Sequence, residues 1–378
     1  MSDISSLLAA ASAFDLTTMP RYARAFGSGH INDTYRVWGD GESQPPYLMQ
    51  RINHNVFPEV DKLMENMWLV TEHLKTKIAA SGEGRPELNV LTIVRTRDGG
   101  LYHCDRSGNY WRMFLLLENT RSYDIVTSEQ QAREGGRAFG RFQLMLADVD
   151  AQRIYEVLPG FHHIGKRLDA LKRAISEDAV GRVAGCQDMI QFALQRADRM
   201  HTILRMGKSG ELPLRITHND TKFNNVLLDD QDKAQCVIDL DTVMPGYVAY
   251  DFGDAIRTVI NSAAEDEADL SRISLNIPFF KAYTEGYFSQ AARFLTPAEV
   301  SSLMEGVLLL PYIIGVRFLT DHLEGDHYFK THHDGHNLQR ARTQFHLVAQ
   351  LEDAEDTLNG IIREIAQTHG LIPGTNAG

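Results

Sequence analysis

The chain has 378 residues, of which 43% are hydrophobic and 23% charged, the composition of a globular protein large enough for two lobes. Its three cysteines are widely spaced, which argues against a disulfide framework or a structural zinc site and fits a reducing cytoplasm. A formal charge of −12 disfavours nucleic-acid binding but not a single nucleotide held with a metal ion. No apolar run reaches the ~18 residues of a membrane span, and the first residues do not resemble a signal peptide.

The first third of the chain is predicted to form an antiparallel sheet. Residues 21–26, 32–37 and 47–52 are rich in aromatic and branched side chains and are separated by glycine-bearing turns. Further strands are predicted at 88–95 and 111–117. Between these groups of strands, apolar residues at helical spacing predict a helix over 58–77.

From residue 128 onward, helical patterns dominate. Apolar stripes predict helices over 130–146 and 183–204. The sequence Thr296-Pro-Ala-Glu299 is a capping box with proline at the first helical position, and it begins a long helix toward Leu323. A last helix is predicted over 338–365.

Two short strands, 225–228 and 236–239, interrupt the helical part. The sum predicts an α+β fold with a β-rich N-terminal lobe over 1–118 and a mostly helical C-terminal lobe over 119–378. A hinge is expected near 118–122, and a cleft between the lobes would be where a nucleotide meets a second substrate.

The strongest chemical signal is the segment 217–225, THNDTKFNN. It places Asp220 two residues after His218 and five residues before Asn225. Phosphoryl transfer to a hydroxyl needs a carboxylate that orients the nucleophile and oxygen ligands for magnesium, and this loop supplies both. Asp239 ends the next apolar run, where a kinase holds a further magnesium ligand.

A nearby triplet is misleading. Asp251-Phe-Gly253 has the letters of the magnesium-binding triplet of protein kinases, but it lies too far from Asp220 for one hairpin. Asp251 and Asp254 are therefore interpreted as helix-start and loop-bracing residues.

The turn between the first two predicted strands is glycine-rich. Its residues Gly27, Ser28 and Gly29 would let backbone N–H groups approach phosphate oxygens, although a plain turn has the same pattern. The polar His30 and Asn32 are either ligand contacts or parts of a hydrogen-bonded hairpin tip.

The lysine that protein kinases carry on their third strand is replaced by Gln50. Either Gln50 or Arg51 assists the phosphates, or Lys222 and magnesium carry more of that role. Lys222 stands two residues after Asp220, which suits contact with the transferring phosphate.

Histidines at 162–163 and at 332, 333 and 336 raise a zinc hypothesis. The second group lacks an acidic base at HExxH spacing, so a solvated loop is expected there rather than a zinc hydrolase. Arg317 interrupts an apolar helix and needs a partner, which could be a ligand or one of the carboxylates at 321, 324 and 326.

Taken together, the segments THNDTKFNN, VIDLDTVMPG and DFGDAIR resemble the aminoglycoside phosphotransferase family of small-molecule kinases. The resemblance is stronger to those members that phosphorylate N-acetylhexosamines, which adds GSGHINDTY, RFLTDHLEGDHYF and HNLQRARTQFHLV. It covers residues 20 to 365 and implies a two-lobed, protein-kinase-like fold.

By that resemblance, ATP would donate its γ-phosphate to the anomeric hydroxyl of GlcNAc or GalNAc, with Mg²⁺ as cofactor. Asp220 would be the base, with Asn225 and Asp239 as magnesium ligands. The sugar contacts would be His30, Asn32, Arg317 and Tyr328. Adenine would bind the backbone of the hinge, represented by Leu116, Glu118 and Asn119. Departures at 158–163 and before Arg317 leave the exact sugar open.

Two alternatives remain open from the residues. One is a kinase of the same fold with another acceptor, such as a hexose, a hexosamine at O6 or an aminoglycoside. The other is a non-catalytic nucleotide-binding protein, against which Asp220, Asn225 and Asp239 argue. The expected partners are a small sugar and ATP, with no nucleic acid and no membrane, and the sequence leaves the oligomeric state undetermined.

Overall fold

The computed structural model describes residues 4–27, 31–40, 46–261 and 263–373. Its N-terminal region is built on a five-stranded antiparallel sheet with the order β1-β2-β3-β5-β4. The strands are β1 (Tyr22–Ala25), β2 (Asp33–Trp38), β3 (Tyr47–Ile52), β4 (His103–Cys104) and β5 (Tyr110–Leu115). The fold is therefore the predicted mixture of an N-terminal sheet and a helical C-terminal region.

The centre of this sheet is the pairing of β3 with β5. Met49 lies opposite Met113, and neither side chain is exposed to solvent. Helix α1 (Ile4–Ala11), which the sequence pattern does not predict, covers this face with Leu7 and two alanines. Apolar residues on one face of each strand thus bury against a short helix.

The predicted strand at 88–95 is wrong. Its first residues form the short helix α3 (Pro86–Asn89), because Pro86 stands at the first helical turn and the Asn89 side chain accepts a hydrogen bond from Arg85 N–H. The remainder runs beside β5 through single bridges, such as Ile93 with Phe114, without forming a strand. The fifth strand of the sheet is β4 instead.

Helix α2 (Val60–Ser81) confirms the predicted helix and extends it by one turn at its C-terminal end. Its buried face shares a core with residues of the C-terminal region, including Phe142 and Met244. The two regions are therefore joined through a common apolar core. The domain boundary at 118 and 119 stays a prediction.

The C-terminal region is helical. Its longer helices are α4 (Glu129–Leu146), α5 (Ile164–Glu177), α6 (Gln187–Met200), α7 (Thr202–Lys208), α8 (Val248–Val259), α9 (Ile277–Ala291), α10 (Pro297–Glu324), α11 (His336–Asp353) and α12 (Glu355–Thr368). The predicted helix over 183–204 is broken into a 3-10 turn, α6 and α7. The predicted helix over 338–365 is broken at Ala354 into α11 and α12. A single-residue break leaves apolar spacing almost unchanged, so the pattern alone does not reveal it.

Helix α10 begins as predicted, with a complete capping box between Thr296 and Glu299. It is long and apolar enough to cross a membrane, with a mean hydropathy of 1.6, but 78% of that window is buried inside the protein. It therefore serves as the central core helix of the C-terminal region, packing against α8 and α11.

The C-terminal region also contains two small antiparallel pairs of strands. Strand β6 (Arg215–Thr217) pairs with β9 (Met244–Gly246), and β7 (Val226–Leu228) pairs with β8 (Ala234–Val237). The loops between these strands carry Asp220, Asn225 and Asp239, so both pairs position the candidate site.

Candidate active site

The loop after β6 is held by a carboxylate of α8. Asp251 accepts hydrogen bonds from the backbone N–H groups of His218 (2.9 Å) and Asn219 (2.7 Å), and the Thr221 hydroxyl donates to its carbonyl at 2.5 Å. The Gln143 amide donates to the same carboxylate at 2.7 Å. Asp251 thus braces the loop, as the sequence predicts, and its carboxylate is occupied by these hydrogen bonds.

His218 fixes the loop to the hairpin that follows. Its Nε2 donates to the Ile238 carbonyl at 2.8 Å, while its Nδ1 accepts from Asp220 N–H at 3.3 Å. The ring is fully buried against Phe139 and Phe142. His218 is therefore a positioning residue for Asp220.

The predicted catalytic residues lie together. Lys222 Nζ is 3.2 Å from Asp220 Oδ1, and Asn225 Nδ2 donates to Asp220 Oδ2 at 3.2 Å. Burial raises the pKa of Asp220, but the charge of Lys222 and its hydrogen bond to the carboxylate oppose this effect, and the pKa lies below its ordinary value. Asp220 is thus an ionised carboxylate with a lysine beside it, which is the pairing needed to orient a hydroxyl toward a phosphate.

Asp239 follows β8 in a left-handed backbone conformation, with φ of +61°. Burial and, to a smaller extent, the neighbouring carboxylates of Asp241 and Asp220 raise its pKa to about 6. Such crowded acids fit a divalent cation. The Asn225 side-chain amide N–H₂ makes both of its hydrogen bonds, which leaves its Oδ1 available as a ligand.

These two side chains do not form a closed metal site. In the described part of the chain, no three acidic, histidine or cysteine side chains are grouped closely enough to hold a metal ion. Mg²⁺ typically takes only one or two protein ligands and completes its shell with phosphate oxygens and water. Asn225 and Asp239 therefore suit a magnesium ion that arrives with a nucleotide.

The sequence reasoning missed a buried ion pair that joins the sheet to this hairpin. Arg112 on β5 donates through both terminal nitrogens to the Asp241 carboxylate, with Nη2 to Oδ2 at 2.9 Å. Its Nε donates to Gln50 Oε1 at 2.9 Å. Asn32 Nδ2 donates to the same carboxylate at 2.6 Å. Arg112 and Asp241 are 1% and 3% exposed, so this pair is excluded from water.

This network includes Gln50, which stands at the position of the missing lysine on the third strand. Gln50 contacts Thr34 and Arg112, and Arg51 pairs with the exposed Asp33 on β2. A phosphate contact by Gln50 stays a prediction. The available signal was an arginine in an otherwise apolar strand, which demands a carboxylate but does not say which one.

Asn32 is also occupied. Its Oδ1 accepts from Asn53 N–H at 3.0 Å, and its Nδ2 contacts Asp241. Its predicted sugar contact stays a prediction. Gly27 has φ of +77°, and nothing lies within 4 Å of the position of an added Cβ, which fits a phosphate-binding turn and a plain turn equally. Ser28, Gly29 and His30 lie outside the described residues.

The predicted hinge follows β5. Leu116 N–H donates to the Pro46 carbonyl at 3.0 Å, and Arg36 Nη2 lies 3.4 Å from Glu118 Oε1. Asn119 has φ of +58°, which turns the chain toward α4. Adenine binding by this segment stays a prediction.

Arg317 of α10 is surrounded by aromatic rings. Its guanidinium lies 5.2 to 5.8 Å from the ring centres of Phe161, Tyr328 and Phe329. Arg317 Nη2 lies 3.3 Å from the Tyr328 hydroxyl. The carboxylate of Asp321 is instead used by the backbone N–H groups of Tyr328 and Phe329.

The segment before α5 connects this aromatic cluster to Asp220. The His162 ring packs at 4.6 Å against Phe161, and its Nε2 lies 3.0 Å from the Asn219 carbonyl oxygen. Burial lowers the pKa of His162 to about 4, so the ring is neutral at physiological pH. Arg167 Nη2 donates to the Phe161 carbonyl at 2.9 Å. The sequence reasoning missed the contact of His162 with Asn219, because it joins residues 57 positions apart in the chain.

The other histidine group is only partly solvated. His332 and His333 are exposed as predicted, but His336 is 1% exposed and pairs with Asp266 at 3.1 Å. The interpretation of the whole group as a solvated loop is therefore wrong for His336, which is the buried first residue of α11.

The phosphotransferase enzyme family model (APH) matches residues 23–291 of the chain. That range runs from β1 to the end of α9 and includes all the catalytic-loop residues described above.

Several solved structures share the fold. A choline kinase from Cryptosporidium parvum is 13% identical with a TM-score of 0.59, and the match covers 96% of this chain and 100% of that one. An aminoglycoside phosphotransferase from Alicyclobacillus acidocaldarius is 12% identical with a TM-score of 0.59, covering 96% of each chain. A microcompartment-associated aminopropanol kinase is 18% identical with a TM-score of 0.55, covering 94% and 99%. At these identities the likeness establishes the fold alone.

Proposed function

Because the chain belongs to the phosphotransferase enzyme family, we propose that it is an ATP-dependent, magnesium-dependent sugar kinase. Its acceptor is the anomeric hydroxyl of an N-acetylhexosamine, GlcNAc or GalNAc, and its product is the sugar 1-phosphate. The observation that carries the proposal is the contact between Asp220, Lys222 and Asn225 in a braced loop next to Asp239. It makes a purely nucleotide-binding protein the weaker alternative.

Asp220 accepts a hydrogen bond from the acceptor hydroxyl and takes its proton as the new oxygen–phosphorus bond forms, while the bond from the γ-phosphorus to the bridging oxygen of ATP breaks and ADP leaves. The anomeric hydroxyl is more acidic than other sugar hydroxyls, so positioning contributes more than basicity. Lys222 balances charge on the transferring phosphoryl group. Mg²⁺, held through Asn225 and Asp239, would neutralise phosphate charge when bound with ATP. The glycine turn at Gly27 and the segment Leu116 to Asn119 would receive the phosphates and the adenine.

The acceptor side favours a sugar over the amines named for several structural neighbours. Choline and aminoglycosides are cations, whereas Arg317 lies in the aromatic cluster with Arg167 nearby. A cationic acceptor would be repelled there, while an uncharged sugar can stack on Tyr328 and accept hydrogen bonds from Arg317. This contrast is the reason for preferring a sugar over an aminoglycoside.

The test is incubation of the protein with MgATP and either GlcNAc or GalNAc, followed by phosphorus–proton coupled NMR of the product. Coupling of phosphorus to the anomeric proton is the expected result. Coupling to the C6 protons would move the reaction to another hydroxyl. Absence of product with both sugars would exclude them as acceptors.

Asp220→Asn is expected to lower kcat by about 10²-fold or more, since loss of a positioned base typically costs 10² to 10⁴. Asp230→Asn is the matched control, because Asp230 is an exposed carboxylate in the β7–β8 turn. Equal turnover in Asp220→Asn and the control would refute the role of Asp220 as base.

A further inference from the structure

Arg167 and Arg317 are two guanidinium groups on either side of one residue, Phe161. Arg317 lies over the Phe161 ring, with 5.8 Å to the ring centre, and Arg167 donates to the Phe161 carbonyl. Burial lowers the pKa of Arg167, and the charge of Arg317 lowers it as well. Two like charges are thus held close together on the acceptor side of the site.

Neither arginine has an acidic partner. Across residues 4–27, 31–40, 46–261 and 263–373, no carboxylate oxygen lies within 4.0 Å of either guanidinium. By contrast, five other arginines of the helical region are paired with acids: Arg182 with Asp326, Arg196 with Glu352, Arg199 with Glu355, Arg215 with Glu299 and Arg257 with Asp254.

Arg167 also has an unused donor. Its Nε is buried and has no hydrogen-bond partner within the described chain. An unsatisfied buried donor of this kind costs stability, typically about 1 to 3 kcal/mol, unless a ligand or water completes it. Guanidinium groups bind carboxylate and phosphate oxygens through two parallel hydrogen bonds, which would use the donors of both side chains.

The pair belongs to the acceptor site and not to a separate surface. Phe161 packs on His162, and His162 contacts the carbonyl of Asn219, the residue before Asp220. The charges of Arg317 and Asp220 both act on His162. An acceptor whose hydroxyl meets Asp220 would therefore extend its opposite end toward Arg167 and Arg317.

We infer that Arg167 and Arg317 form an anion subsite that binds a carboxylate carried by the acceptor at the end opposite the phosphorylated hydroxyl. Only the identity of that acceptor as an N-acetylhexosamine rests on the proposed function. The physiological substrate class would then be an acidic amino sugar, such as an N-acetylhexosaminuronic acid, in preference to the neutral sugar.

The experiment compares kcat/KM for GlcNAc and for its C6 carboxylate, N-acetylglucosaminuronic acid, at constant ionic strength. The wild type is expected to prefer the carboxylate by about tenfold or more, the size of one charge-assisted contact. Arg167→Gln is expected to remove about tenfold of that preference while changing kcat/KM for GlcNAc by less than about threefold. Arg173→Gln, an exposed arginine on the same helix, is the control and should preserve the preference.

Equal or better use of the neutral sugar by the wild type would overturn the inference. An equal loss for both sugars in Arg167→Gln would overturn it as well, because it would indicate a structural role. Free acetate, added at the same concentration as the acidic sugar, tests whether a carboxylate that is not attached to a sugar binds the subsite. Inhibition of N-acetylglucosaminuronic acid phosphorylation that is relieved in Arg167→Gln supports the subsite.

If neither sugar is phosphorylated, the proposed function fails and the subsite is judged by binding. Melting temperatures are then measured with MgADP present, with and without inorganic sulfate at constant ionic strength. A larger increase in the wild type and in Arg173→Gln than in Arg167→Gln supports the subsite. The same increase in all three proteins rejects it.

Discussion

His162 shows how the surroundings of one side chain determine its protonation state. The ring is 8% exposed, and the carbonyl oxygen of Asn219 lies 3.0 Å from Nε2. Burial is the main reason that its pKa falls from 6.5 to about 4, and the charge of Arg317 contributes to that fall. The ring donates Nε2–H to that carbonyl, and burial keeps it neutral because a charged imidazole would lose its hydration there.

The stability of the protein is therefore expected to depend on His162 between pH 6.5 and about 4. In that window the unfolded chain binds a proton at this residue that the folded chain does not. The contribution of neutral His162 to stability is therefore complete above pH 6.5 and is lost as the pH falls toward 4. The shift corresponds to about 3 kcal/mol. The measurement is the free energy of unfolding by urea between pH 4 and 7.5.

His162→Gln should make the free energy of unfolding less dependent on pH in this window, because the amide can donate to Asn219 without titrating. His333→Gln is the control, since His333 is exposed. If the slope of stability against pH is the same in His162→Gln, in the control and in the wild type, the depressed pKa of His162 is refuted.

The residue scale also shows where prediction from the sequence stops. Asp220, Lys222 and Asn225 are close in the chain, so their spacing was enough to bring them together. The contacts of Gln50 with Arg112 and of Arg112 with Asp241 join three separate segments. An apolar strand containing one arginine indicates that a partner exists, but only the fold identifies it.

At the scale of helices, glycines decide how closely α4 and α9 approach. A Cβ on Gly136 would lie 2.1 Å from the Tyr283 carbonyl oxygen, and one on Gly286 would lie 2.0 Å from the Arg133 carbonyl oxygen. Backbone atoms cannot move aside as a flexible side chain can. The helix pair therefore requires glycine on both facing surfaces.

Gly136→Ala is expected to destabilise the protein by about 1 to 3 kcal/mol or more, the usual cost of overpacking, despite the higher helix propensity of alanine. The control is Gly360→Ala in α12, where nothing lies within 4 Å of the added Cβ. That change should stabilise by up to about 1 kcal/mol. Thermal unfolding of both variants gives the comparison, and a neutral Gly136→Ala would contradict the close packing.

Helices and strands were predicted correctly where the spacing of apolar residues or a helix-capping sequence identifies them. The helix after Thr296 was predicted from its capping box, and β3 was predicted with the bounds that it has. The segment 88–95 failed because Pro86 begins a short helix and the rest meets β5 only through bridges. Apolar content alone does not distinguish such a segment from a strand.

At the scale of the whole molecule, the sheet is connected to the helical region in two different ways. One is the apolar core shared by α2 and the C-terminal elements, which has little directional specificity. The other is the set of hydrogen bonds that Asn32 and Arg112 make to Asp241. Because Asp241 stands two residues after Asp239, this second connection places the sheet relative to the candidate metal ligand.

Removal of only one partner of the Arg112–Asp241 pair is expected to lower the free energy of unfolding. Asp241→Asn leaves the buried Arg112 without its counter-charge, and loss of one partner of a buried pair typically costs about 3 to 5 kcal/mol. The measurement is the free energy of unfolding by urea without nucleotide. Asp33→Asn is the matched control, because Asp33 pairs with Arg51 at an exposed position, and it should change stability by less than about 1 kcal/mol.

The double variant Arg112→Met, Asp241→Leu separates the cost of an unpaired charge from the value of the pair. Removal of both charges should recover most of the stability lost in Asp241→Asn, because desolvation of a buried pair offsets much of its attraction. Its catalysis should stay impaired, since the hydrogen bonds that align the sheet with Asp239 are absent. A double variant as unstable as Asp241→Asn would show instead that the pair is a net stabilising link. Full activity with recovered stability would show that the shared apolar core alone aligns the two regions.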